Sequence, residues 1–155
     1  MQDLPQMCRI WNDIIAQGDA FPQQELLDEQ SGDAFFSSQS KTRVCMENDG
    51  TLTGLYILHP NNVGRCAHIC NASFAVAPGQ RGKHIGRSLV QDCMQTAKTL
   101  GFRILQFNAV VESNASARHL YESLGFKALG TIPEGFRLQD GSYVNIVPYY
   151  ITLIG

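Results

Sequence analysis

Apolar residues recur along this chain with two different spacings, and each change of spacing marks an element. Leu4, Met7, Cys8, Trp11, Ile14 and Ile15 fall on one helical face. Asp3-Leu4-Pro5-Gln6 offers an acceptor side chain at the cap, proline in the first turn and Gln three residues on, and Gly18 ends the helix. A weaker helical pattern runs over Gln23–Gln30. Phe21, in the loop before it, fits either a hydrophobic staple or a lid over a substrate. Arg43–Glu47 and Thr51–Leu58 flank Asn48-Asp49-Gly50, a hairpin signal because Asp-Gly supplies positive φ. After a loop at Pro60–Gly64, Ile69–Val76 reads as a strand. A turn follows at Pro78-Gly79. From Gly82 the period changes: Ile85, Leu89, Cys93 and Ala97 recur every fourth residue, with Leu100 closing the stripe. Gly101 marks that helix's end and Arg103–Val111 a buried strand. Asn114–Leu124 is a further helix, with Ala117, Leu120, Tyr121 and Leu124 on one face and Gly125 as its stop. Phe126–Ile132 and Tyr143–Leu153 are strands, with a turn at Asp140-Gly141. Pro148 in the last run predicts an edge position or a bulge, because proline donates nothing to a ladder.

The order of elements predicts an α/β fold with helices against a mixed sheet. The strand–helix–strand unit through residues 69–111 should be parallel with a right-handed crossover. At 155 residues and 17.1 kDa the chain makes one domain, 1–155, with a core of useful size. The net charge of −2 gives no reason to expect nucleic acid as partner. No apolar run is long enough to span a bilayer, and Met1-Gln2-Asp3 does not open a signal peptide. The five cysteines form no C-x-x-C pair and sit mostly among apolar residues, which predicts reduced core side chains in a cytoplasmic protein. Cys66, His68 and Cys70 alternate along strand-like sequence, so no metal site is expected there.

The chemistry gathers around Val76–Leu89, VAPGQRGKHIGRSL. A helix start leaves backbone N–H groups unpaired and carries partial positive charge. Gly82 and Gly86 let an anion approach those amides, and Arg81, Lys83 and Arg87 add cations that would work against the dipole unless a phosphate docks there. The bland alternative is a solvated basic helix start. Neither G-x-x-x-x-G-K-S/T nor G-x-G-x-x-G after a strand occurs, which excludes the common nucleotide loops.

A second constellation follows in Asn114, Ala117, Leu120, Tyr121, Gly125 and Phe126, which spell N-x-x-A-x-x-L-Y-x-x-x-G-F. Together with V-x-P-x-x-R-G-x-x-I-G at Val76–Gly86, it closely resembles the GCN5-related N-acetyltransferase superfamily over roughly Leu4 to the C-terminus. The resemblance implies a mixed sheet whose parallel central strands, ending near Val76 and Val111, splay to admit acetyl-CoA. It implies pyrophosphate on the amides of Arg81, Gly82, Lys83, His84, Ile85, Gly86 and Arg87, pantetheine along the backbone of Ala75 and Val76, and a contact from Asn114. The implied reaction is direct attack of a small-molecule amine on the thioester, with Tyr121 as proton donor to the departing thiolate. The motifs NASF, QFNAVVESN, IPEGFR, DGSY and PYY resemble a narrower group, the azetidine-2-carboxylate or proline-analogue N-acetyltransferases. There the asparagines matching Asn71 and Asn108 belong to the active site; in this chain Phe74, within NASF, and the loop residue Phe21 are further substrate-side candidates. An amino acid or proline analogue is the acceptor so implied.

The chain also departs from the family. His84 stands where glycine is usual, which puts the local dihedral in question. The strand HICNASFAV carries no carboxylate to serve as base, so Glu112 and His68 are the nearest titratable candidates in sequence. Asparagine cannot accept a proton at physiological pH, but it can orient an amine or a relay water. The two asparagines could instead satisfy backbone where the strands part. The family's opening strand is missing before Leu4, and with Pro148 in the last strand this predicts a homodimer through the C-terminal strands. The alternative function is a catalytically silent acetyl-CoA-binding sensor or assembly module.

Overall fold

A computed structural model of the chain describes residues 3–80 and 84–154. Among these residues four α-helices, α1 (Leu4–Gln17), α2 (Glu29–Ser37), α3 (Ile85–Thr99) and α4 (Ala115–Ser123), accompany seven strands. The strands are β1 (Lys41–Met46), β2 (Leu52–Pro60), β3 (Ile69–Val76), β4 (Ile104–Val111), β5 (Lys127–Ala128), β6 (Ile132–Arg137) and β7 (Tyr143–Thr152). They form one sheet in the order β1-β2-β3-β4-β7-β5, with β6 also on β7. Only β3 and β4 run parallel; every other neighbour is antiparallel. This is the expected mixed α/β sheet.

Each face of the sheet has its own core. On one face Leu89, Val90, Cys93 and Ala97 of α3 pack with Tyr56, Leu58, Cys70, Leu105 and Tyr149, and α4 adds Leu120, Tyr121 and Leu124. On the other, the predicted α1 stripe packs with Phe36, Leu55, Ile57 and Ala75. Gly54 of β2 lets α3 sit this close. A Cβ there would lie 3.0 Å from Leu89 Cδ1 and 3.2 Å from Ile85 Cγ2. The predicted α3 stripe ends at Ala97; Leu100, the C-cap, is half exposed.

Several expectations change, each for a local reason. Asp3 does not cap α1 through its side chain. Gln6 reaches instead to the β1–β2 turn, donating to Gly50 O at 3.2 Å and accepting from Leu52 N at 3.0 Å. The segment before Asp28 is not helical, because Leu27 gives its N–H and C=O to the Asn12 side chain at 2.7 and 2.8 Å. The helix begins only at Glu29, where Asp28 and Ser31 exchange backbone-to-side-chain bonds of 2.8 and 3.0 Å. The strand expected at Phe126–Ile132 shrinks to β5, and its continuation, β6, is the IPEGFR run.

Pro148 does not mark an edge. Strand β7 lies between β4 and the β5/β6 pair, and Pro148 is accommodated by the other predicted device, a bulge. Pairing with β4 jumps from Phe107↔Tyr149 to Val110↔Val147, so Asn108 and Ala109 stand opposite a residue with no N–H to offer.

Candidate active site

The parallel pairing of β3 and β4 lasts three rungs, from Ile69↔Ile104 to Asn71↔Gln106. Beyond Asn71, β3 keeps only β2 as a partner as far as Val76, and β4 bulges toward β7. The N–H and C=O groups of β3 that face the gap therefore have no ladder partner. A cleft of about 280 Å³ opens there, with Asn71, Phe74, Asn108, Asn114, Tyr121 and Phe21 in its wall. A wider groove of about 740 Å³ lies between the α1–α2 loop and the β6–β7 hairpin and shares Phe21, Pro22 and Ala109 with the cleft.

Asn71 sits on the last paired rung and donates its amide to Gln106 O at 2.9 Å. One alternative from the sequence thus holds for part of this side chain: its N–H serves backbone where the strands separate. Asn108 is exposed in the bulge and takes another course. Its Oδ1 accepts from Gln106 Nε2 at 3.0 Å, and its Nδ2 donates to Asn61 Oδ1 at 2.6 Å.

Tyr121 comes to the cleft from α4. Its ring packs against Phe107 at 4.5 Å, Phe126 at 5.7 Å and Tyr149 at 5.9 Å. Burial among these rings, with a smaller contribution from Cys93, pushes its phenol up to about 12. The hydroxyl makes no hydrogen bond to another described residue, which leaves it available to the cleft. Behind it, Arg118 Nε donates to the Tyr149 hydroxyl at 2.9 Å and fixes α4 on β7.

Asn114 is the α4 N-cap, its Oδ1 accepting from Ala117 N at 3.2 Å, so its amide NH₂ is the group left for a ligand. Ala75 is buried in the α1-side core and Val76 packs on the α3 side, while their backbone follows the gap. Arg81, Gly82 and Lys83 lie outside the described residues. His84 precedes α3 with φ 60 and ψ 19, a left-handed conformation that explains why glycine suits this position. Ile85 and Gly86 open the helix. A Cβ on Gly86 would meet only Leu120 and Val76, at 3.8 and 3.9 Å, so packing alone does not require glycine there. Arg87 turns across to α4 and donates to Ser123 Oγ at 2.9 Å.

Phe21 is not a helix staple, since Leu27 precedes the α2 cap. It packs on Trp11, ring centroids 4.5 Å apart, at the junction of cleft and groove. Neither base candidate lines the cleft. His68 is exposed beside the paired end of β3, and Glu112 Oε1 accepts from Asn145 Nδ2 at 3.2 Å. The sequence does not single out Asn61 or Gln106 as site residues. Their only signal was their amide chemistry near Asn71 and Asn108, and a surface loop residue gives no clue to its reach across a sheet.

In comparisons with known proteins, N-acetyltransferase aca1 of Schizosaccharomyces pombe is 39% identical over 100 residues, 64% of this chain and 48% of that protein. The chain thus spans about half the length of that relative. A GCN5-related N-acetyltransferase structure from Kribbella flavida superposes with a TM-score of 0.88 at 35% identity, covering 97% of this chain and 92% of that one. The yncA structure from Salmonella typhimurium, solved with its cofactor acetyl-CoA, shares the fold at a TM-score of 0.91 and 20% identity, over 99% and 90% of the two chains. The acetyltransferase (GNAT) family model matches residues 5–126, and with the splayed parallel strands and the fold match this places the chain: it belongs to the GNAT family of acetyltransferases.

Proposed function

We propose that this chain, as one domain over 1–155, is an N-acetyltransferase that moves the acetyl group of acetyl-CoA to the amine of a small molecule, with an amino acid or proline analogue as acceptor. The observation that carries the reading is the parting of β3 and β4 at Asn71 and Gln106, with the Tyr121 hydroxyl in the wall of the resulting cleft. The unpaired backbone beyond Asn71 suits an amide-bearing chain such as pantetheine, and Asn114 has an amide to add from α4. Family membership and the acetyl-CoA bound to the Salmonella relative support the same cosubstrate. When bound, it supplies an activated thioester carbon at the cleft.

The residues of this chain then have separable tasks. Phe21 and Phe74 give the acceptor an apolar wall. Asn71 keeps Oδ1 as an acceptor for an amine N–H, and Asn108 orients the same group from the facing strand. Asp19 is the one carboxylate among the residues lining the cleft, and the amine's proton leaves to it or through water held by the asparagine amides. Tyr121 remains protonated at any physiological pH and donates a hydrogen bond to the sulfur as the thiolate departs. The five cysteines are all free, in keeping with a cytoplasmic location. No described helix is long and apolar enough to cross a membrane. The homodimer expected from the sequence loses its β7 edge, which β5 and β6 cover; the open edges are β1 and the β5/β6 side.

The test joins binding to turnover. Acetyl-CoA at about 100 times its dissociation constant should stabilise the fold by about 2.7 kcal/mol, read as a rise in melting temperature. Thiol release should then accompany consumption of L-azetidine-2-carboxylate or another amino acid from a panel that includes polyamines and aminoglycosides. A melting shift without thiol release from any amine would favour the silent sensor, and no shift at millimolar acetyl-CoA would overturn the cosubstrate.

A further inference from the structure

We propose that Asn61 and Gln106 are positioning residues for the acceptor amine, acting through the side chain of Asn108. This inference rests on the acetyltransferase reading above. Its starting point is the bulge. Opposite Pro148 the β4 ladder is interrupted, so Asn108 and Ala109 lack the cross-strand rungs that hold Phe107 and Val110. The Asn108 side chain is also exposed, with no packed wall to choose its rotamer. Two other carboxamides hold it instead.

Gln106 lies two residues earlier on the same face of β4. Its own backbone is paired on both sides, to Asn71 and to Tyr150. From that fixed base its Nε2 donates to Asn108 Oδ1 at 3.0 Å. Asn61 follows the end of β2 and is pinned by its backbone N–H, which donates to Ile69 O at 2.7 Å. Its Oδ1 accepts from Asn108 Nδ2 at 2.6 Å. In this arrangement Gln106 donates, Asn108 relays and Asn61 accepts. A carboxamide has two N–H groups and a carbonyl with two lone pairs. One of each is committed at Asn108, and the remaining N–H and lone pair face defined directions. Reversing the Asn108 amide alone would set N–H against N–H at Gln106 and carbonyl against carbonyl at Asn61, so the three amides are oriented together. Asn71, on the neighbouring strand, is oriented by the same residue, through Gln106 O. Both cleft asparagines therefore take their orientation from Gln106, and Asn108 takes it from Asn61 as well.

The polarity gives the test opposite outcomes for two near-isosteric changes. Asn61→Asp keeps an acceptor facing Asn108 and should leave kcat/KM for the amine within about threefold, since a carboxylate accepts at least as well as an amide. Asn61→Leu keeps the bulk without the acceptor and should lower kcat/KM for the amine by on the order of tenfold to a hundredfold. Gln106→Glu puts an acceptor against the Asn108 carbonyl and should lower it as much. KM for acetyl-CoA should stay unchanged in all three. Melting temperature and the wild-type response to acetyl-CoA report whether each variant folds. A second readout needs no substrate: in ¹⁵N-labelled protein the Asn108 side-chain NH₂ pair should keep its shifts in Asn61→Asp and move in Asn61→Leu. Equal kinetics for folded Asn61→Asp and Asn61→Leu, or Asn108 amide signals that ignore Asn61→Leu, would overturn the inference. If the wild-type protein acetylates no amine, the functional proposal fails by itself, while the amide signals still decide whether Asn61 holds Asn108.

Discussion

Asn71 donates its side-chain amide to the main-chain carbonyl of Gln106 across 2.9 Å, on the last rung before β3 and β4 separate. The bond closes the ladder at the point where the cleft begins. Asn108, two residues beyond Gln106, bonds only to side chains. The two asparagines should therefore separate by stability. Asn71→Ala leaves a part-buried carbonyl without its partner and should cost about 1 kcal/mol. Asn108→Ala removes an exposed side chain and should stay within about 0.5 kcal/mol of wild type. Both should lower kcat/KM for the amine by roughly 10²-fold. Urea unfolding beside steady-state kinetics checks the pair. Equal stability losses would remove the distinction, and normal kinetics in both variants would make the residues structural.

His84 occupies a backbone conformation built for another residue. At φ 60 its Cβ crowds the chain, at a cost of about 1–2 kcal/mol relative to the right-handed region. His84→Gly removes that strain but adds about 0.5–1 kcal/mol of chain entropy to the unfolded state. The net effect should be a gain of about 0.5 kcal/mol, a small rise in melting temperature. His84→Val, branched at Cβ, should lose about 1 kcal/mol or more. Acetyl-CoA affinity should survive the glycine change, since that loop keeps its backbone amide. A destabilised glycine variant would mean that the imidazole makes a contact worth more than the strain.

How much of this was legible in the sequence follows from which forces are local. The α1 stripe, the hairpin at Asp49-Gly50 and the β3 boundaries come from periodicity and turn chemistry within a few residues, and all appear where expected. The start of α2 was missed because Asn12, far back in the chain, captures the backbone of Leu27. Pro148 announced a bulge, yet only strand order reveals that the bulge falls opposite Asn108 and that β7 is interior. For the site, Tyr121, Asn71 and Asn108 were identified by motif and do meet at one cleft. Asn61 was not, because its role depends on a contact 47 residues away in sequence. Glu112 and His68 were proposed on nearness in sequence alone, and the strand ends carry them elsewhere.

Tyr121 joins the chemistry to the core that holds it. Phe107, Phe126 and Tyr149 surround its ring, and that burial pushes its phenol up to about 12. A thiol ionises near 8.5, so full proton transfer from Tyr121 to the departing thiolate would be uphill by about 5 kcal/mol. The phenol is therefore better placed to donate a hydrogen bond than to give up its proton. Tyr121→Phe should lower kcat by on the order of tenfold to a hundredfold and leave KM for the amine almost unchanged, the pattern of an interaction made only in the transition state. The same raised ionisation predicts a stability effect of definite sign. The unfolded chain loses the Tyr121 proton near pH 10 and the folded one near 12, so stability contributed by this group is intact below pH 10 and falls as pH rises toward 12. Between pH 9 and pH 11 the wild type should lose about 1 kcal/mol more than Tyr121→Phe. Tyr56, Cys70 and Cys93, also raised by burial, are common to both proteins and drop out of the difference. Chemical unfolding of the two proteins across that range measures it. Parallel pH profiles would place the phenol in water rather than among the rings. A rise in KM for the amine with kcat intact would make Tyr121 a substrate contact instead of a partner to the leaving sulfur.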